Sequence, residues 1–157
     1  MNRVLASIAL GLLCGACRRN ASAPSTEAAA TKPPWLTNYA AAQAQARAES
    51  KMLLINFTGS DWCPPCIMLH RQILSQPAFA DYAAAHLVLL EVDFPRAKAQ
   101  SDAQKAANEK LANQYGIYAF PTVIVLDSSG KKIGELGYTR DGPEAFIAAL
   151  EKLRTKG

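Results

Sequence analysis

Trp62-Cys63-Pro64-Pro65-Cys66 stands between an apolar run, Met52 to Thr58, and a stretch of helix formers reaching Leu74. Two cysteines separated by two residues can close a small disulfide and reopen it. With a strand before the pair and a helix after it, the spacing reads as a redox motif rather than a structural staple. Free N–H groups and partial positive charge at a helix start favour the thiolate, so Cys63 is the predicted nucleophile. Cys66, one turn further in, is predicted to resolve the mixed disulfide with a substrate. Pro64 and Pro65 fit a first helical turn, where the N–H groups have no intrahelical acceptor.

The pattern around the motif predicts the remaining elements. Asn38 to Ser50 is an alanine-rich helix with Thr37 or Asn38 as N-cap. Met52 to Thr58 and Leu87 to Asp93 are apolar enough to be buried strands, with a short helix over Pro77 to Ala85 between them. Ser101 or Asp102 caps a polar helix that runs to Tyr115 and stops at Gly116. Thr122 to Leu126 and Lys132 to Tyr138 form a hairpin through the turn at Asp127 to Gly130. Asp141 opens a closing helix with Phe146, Ile147, Leu150 and Leu153 on one side. The order α-β-α-β-α-β-β-α predicts an α/β fold with a central mixed β-sheet flanked by helices.

A second motif, Ala119-Phe120-Pro121-Thr122, directly precedes a strand. X–Pro bonds have the lowest cost for cis geometry, and a cis Pro121 would turn backbone polar groups outward. Such an edge can pair with a substrate strand and hold its disulfide over Cys63. Trp62, Phe120, Pro121 and Thr122 are therefore the expected substrate-positioning residues.

Charge and cysteine usage bound the partners. Of 17 basic and 13 acidic residues, Arg3, Arg18, Arg19 and Lys32 against Glu27 precede Trp35, leaving 13 and 12 from there onward. The near-neutral domain implies no nucleic acid partner. Met1-Asn2-Arg3 followed by apolar Val4 to Leu13 has the plan of an export signal, too short for a lasting transmembrane helix. Cys14-Gly15-Ala16-Cys17 resembles a bacterial lipoprotein box, with Cys17 as the lipidation candidate and Cys14 where leucine is usual. A competing cleavage site at Ala21-Ser22-Ala23 is disfavoured by Pro24. The expected organisation is a signal peptide over 1–17, a flexible tether over 18–34 and one folded domain over 35–157. The expected location is periplasmic, with a membrane anchor if Cys17 is acylated.

Together these residues resemble the thioredoxin family. The match rests on Phe57, Trp62-Cys63, Pro65-Cys66, Tyr115-Gly116-Ile117, Phe120-Pro121-Thr122 and Gly137, and spans Trp35 to the C-terminus. The stretch from Phe57 to Cys63 is most similar to exported bacterial thioredoxin-like proteins. The resemblance implies a thioredoxin fold, Cys63 as nucleophile, Cys66 as resolving thiol and Pro121 as a cis-proline. It implies a thiol–disulfide oxidoreductase that needs no cofactor, with disulfide-bearing protein substrates and a redox donor protein as partners.

Three departures separate this chain from cytosolic members. Asn56 stands where they carry a buried Asp, the lysine that pairs with it falls at about Leu89, and Pro64 replaces a glycine. Losing both charges together is electrostatically coherent, since one without the other would be costly. Glu91, Asp61 or water are then left as acceptors for the Cys66 proton. Reduction of protein disulfides is the leading reading. A disulfide oxidase or isomerase runs the same chemistry in the other direction, and a non-catalytic binding or chaperone module would carry an inert disulfide. A zinc site is not expected, because His70 and His86 fit no usual ligand spacing. Ile67 after Cys66 excludes covalent haem attachment.

Overall fold

The computed structural model describes residues 33–156; the leader, Cys17 and most of the tether lie outside the described residues. The sheet is built on β2 (Met52–Thr58), buried at every position. β3 (Leu87–Asp93) lies parallel to it on one side, and β4 (Thr122–Leu126) antiparallel on the other. β5 (Lys132–Leu136) extends β4 as a hairpin, and β1 (Trp35–Leu36) pairs in parallel with β3. The strand order is β1-β3-β2-β4-β5.

Side chains alternate across a strand, so an unbroken apolar run serves two cores. Leu53, Ile55 and Phe57 face α1 (Tyr39–Ala48) and α4 (Asp102–Tyr115), where Ala42, Ala46 and Leu111 meet them. Leu54 faces the opposite layer, formed by α2 (Pro64–Leu69), α3 (Pro77–His86) and α5 (Gly142–Arg154). Leu69, Phe79, Phe146 and Leu150 fill that side. The result is the expected thioredoxin fold, a mixed five-stranded sheet between two helical layers.

The caps resolve as single residues. The Asn38 side chain accepts the Ala41 N–H at 2.9 Å, and the Ser101 hydroxyl accepts that of Gln104 at 3.2 Å. Gly116 ends α4 in the left-handed region at φ 65°, where glycine has no Cβ penalty. At the hairpin, the Asp127 carboxylate accepts the Ser129 hydroxyl and then the amides of Lys131 and Ser129, which hold its pKa below the usual carboxylate value.

Three details differ from the sequence expectation. β1 was not anticipated, because two residues after Pro34 carry no periodicity. The helix expected over Pro64 to Leu74 is α only to Leu69 and continues as a π-helical turn over His70–Leu74, closed by the Ser75 N–H on the His70 carbonyl at 2.8 Å. β5 ends at Leu136, which frees Tyr138 to donate to the Gln72 side chain at 2.6 Å. The parallel register, which the sequence left open, pairs Leu89 with Leu54 and sets Glu91 beside Asn56. A carboxyl group, rather than an apolar side chain, therefore neighbours the amide that replaces the family's buried acid.

Candidate active site

Parallel neighbours β2 and β3 end at the same edge of the sheet, so the loops leaving them meet. The loop after β2 carries Gly59 to Cys63, and the one after β3 carries Phe94 to Gln100. Cys63 is the N-cap of α2 in an extended conformation (φ −95°, ψ 104°), with Pro64 and Pro65 at the first helical positions. Cys63 and Cys66 form a disulfide, with Cα atoms 5.3 Å apart. Both residues are well covered, at 4% and 2% exposure.

The surrounding groups hold this turn by hydrogen bonds. Ser60 donates its backbone N–H and hydroxyl to the two oxygens of Asp93, at 2.9 and 2.6 Å. The Trp62 indole N–H donates to the Phe94 carbonyl at 2.7 Å. Asp61 accepts the backbone amides of Arg96, Ala97 and Lys98, the shortest at 2.7 Å. The Arg96 amide leads in holding the Asp61 carboxyl below its ordinary pKa. The Arg96 guanidinium lies 3.8 Å over the Trp62 ring, a cation–π contact. No side chain fits at Gly59, because a Cβ there would come within 2.5 Å of that indole.

The second loop closes the site from the other side. The Phe120–Pro121 peptide is cis. Phe120 packs edge-on to Trp62 with centroids 6.1 Å apart and against Phe94 at 5.1 Å. The Thr122 hydroxyl donates to the Ala119 carbonyl at 2.8 Å, tightening the turn into β4. Ile67, one residue after Cys66, and Tyr118, two before Phe120, are exposed, at 42% and 97%. Such a surface suits an extended peptide carrying a disulfide.

Of the residues expected at the site, Trp62 and Phe120 pack together beside the Cys63–Cys66 pair, and Pro121 and Thr122 continue the Phe120 loop into β4. Glu91 lines a cleft of about 490 Å³ together with Cys66 and Asn56. Burial first, and then the neighbouring Asp93 charge, raise the Glu91 pKa, while Lys98 opposes the rise. Asp61 does not line that cleft; its carboxylate is spent on the 96–98 backbone. Sequence reasoning missed Ser60, Asp93, Phe94, Arg96 and Lys98 as parts of the site. The signal was available in the topology, since a loop leaving a parallel neighbour of β2 must emerge beside the Cys63 loop.

Comparison with known proteins agrees with this geometry. The family model described as a thioredoxin-like domain matches residues 39–154. The chain is similar to the disulfide bond reductase DsbH of Chlamydia pneumoniae, 34% identical over 90% of this chain and 87% of that protein. A solved DsbH oxidoreductase superposes with a TM-score of 0.74 at 32% identity, covering 78% of this chain and 85% of the other. A thioredoxin from Thermus thermophilus shares the fold, with a TM-score of 0.61 at 21% identity over 81% of this chain and 91% of its own. The chain belongs to the thioredoxin-like family and is a thiol–disulfide oxidoreductase.

Proposed function

We propose that this protein reduces disulfides in protein substrates outside the cytoplasm. The observation that carries the reading is the Cys63–Cys66 disulfide at the mouth of α2, with the adjacent Trp62 packed on Phe120 of the cis-proline loop. In the reduced protein the Cys63 thiolate attacks a substrate disulfide, and Cys66 then displaces the substrate as a thiol. Trp62, Phe120, Pro121 and Thr122 hold the substrate segment. A second dithiol protein must then return two electrons to the pair.

The direction follows from the proline pair. Pro64 and Pro65 have no N–H, so the first α2 amide able to reach the Cys63 sulfur is that of Cys66. Fewer donors stabilise the thiolate less, and a less stabilised dithiol gives up its electrons more readily. The similarity to a disulfide bond reductase supports the same direction. Equilibration with glutathione is expected to give a potential of about −230 mV or lower; a value near the strongly oxidising −120 mV or so would overturn it.

Export and anchoring rest on the leader: a positive start, the apolar stretch Val4 to Leu13, and Cys17 after small residues. Labelled palmitate is expected to enter the full chain in a bacterial host and to be lost in Cys17→Ala. Equal labelling of both would remove the anchor from the proposal.

A further inference from the structure

The reaction leaves one proton without a route. Cys66 is 2% exposed, and a substrate bound at Cys63 covers the face above it. The cleft shared by Cys66, Asn56 and Glu91 opens instead to the side, between the π-helical turn and the loop after β3, past Arg71, Ser75 and Lys98. Two observations mark its floor as a polar site rather than a packing gap. Asn56 is 3% exposed and its side-chain oxygen has no donor among the described residues, although a buried carbonyl ordinarily has one. Glu91, the register partner of Asn56, presents a carboxyl group to the same space. The volume is ample for water, and both groups are suited to hold it.

We propose that Glu91 carries the Cys66 proton to and from solvent through this lateral cleft, with Asn56 anchoring the connecting water. The inference rests on the dithiol chemistry proposed above. In the resolving step the Cys66 thiol passes its proton through water to the Glu91 carboxylate. The Cys66 thiolate attacks the Cys63 sulfur, the Cys63–Cys66 bond forms and the Cys63–substrate bond breaks. The departing substrate thiolate takes a proton from water, and Glu91 returns its own to solvent. Two electrons leave the dithiol for the substrate disulfide, and no further reactant is required.

The charge environment suits this role. The burial of Glu91, and then Asp93 on the same strand, make it a stronger base than an exposed carboxylate, whereas Lys98 keeps its charged form accessible. His70 and Arg71 line the cleft from the π-helical turn, facing Glu91 and Lys98 on the side of β3. Glu91 also lines a smaller cleft of about 260 Å³ with Asp93, Gln104 and Asn108, which gives it a second contact with solvent away from Cys63.

Reaction of the reduced full chain with a chromogenic aromatic disulfide separates the steps. The first released thiol reports attack by Cys63, and the second reports resolution by Cys66. Glu91→Gln is expected to leave the first phase unchanged and slow the second at least about tenfold at neutral pH. The deficit should close as the pH rises through the ionisation of Cys66 itself, and Glu91→Asp should fall between the two proteins. A second phase in Glu91→Gln with the wild-type rate and pH profile overturns the proposal and leaves the dithiol mechanism standing. Loss of the second phase at every pH, unrelieved in Glu91→Asp, assigns Glu91 a structural role and also overturns it. A wild-type first phase that survives Cys63→Ser would remove the mechanism and this inference together.

Discussion

Cys66→Ser is expected to arrest the protein as a covalent complex with its substrates. Cys63 remains the N-cap of α2 and still attacks a substrate disulfide, but a serine hydroxyl cannot displace the departing thiol. Insulin reduction should fall to background while mixed disulfides accumulate on Cys63, visible on non-reducing gels and dispersed by a small dithiol. Cys63→Ser should abolish turnover without any trapped species. If Cys66→Ser turned over at the wild-type rate, resolution would not pass through Cys66. If insulin reduction were the same with and without Cys63, the protein would be a docking module with an inert disulfide. In cells, the trapped proteins identify the substrates.

Phe57→Ala is expected to be the most damaging substitution outside the redox pair. Phe57 is fully buried and lies edge-on to Tyr115 with centroids 6.3 Å apart. The Tyr115 hydroxyl in turn hydrogen-bonds that of Tyr39 at 2.9 Å, linking β2 to both α1 and α4. Emptying this position removes the ring and leaves a cavity, at about 3–5 kcal/mol. Against a total stability of about 5–15 kcal/mol, that is a large fraction. The midpoint of urea unfolding should drop accordingly, whereas Phe57→Leu should lose less than about 1.5 kcal/mol. A loss below about 1 kcal/mol for Phe57→Ala would mean that the two helices can collapse onto the sheet without the ring.

Much of this was legible in the chain. The apolar runs at Met52–Thr58 and Leu87–Asp93 gave the two central strands with their observed ends, because buried parallel strands are continuous in hydrophobicity. Gly116 and the cap at Ser101 fixed α4 by local chemistry alone. The cysteine spacing and Pro121 located the site. What escaped depends on contacts distant in sequence. β1 exists only because Leu89 and Leu90 offer it a partner. The π-helical turn leaves no mark on an apolar spacing read as one helix. Glu91 was among the acceptors left open by the sequence, and only the strand register places it beside Asn56.

The hydrogen bonds that fix Ser60, Asp61 and Trp62 end on the Asp93 carboxylate, the Lys98 ammonium, the Gly59 carbonyl and backbone amides and carbonyls of residues 94–98. None of them ends on sulfur, so breaking the Cys63–Cys66 bond removes no support from the surface that meets the substrate. Oxidised and reduced protein should therefore present nearly the same docking face, and a bound partner gains or loses little from the exchange of electrons itself. Binding selects which protein is reduced, while the relative potentials of the two cysteine pairs decide the direction. A carrier built this way can accept electrons from one partner and deliver them to another through a single surface.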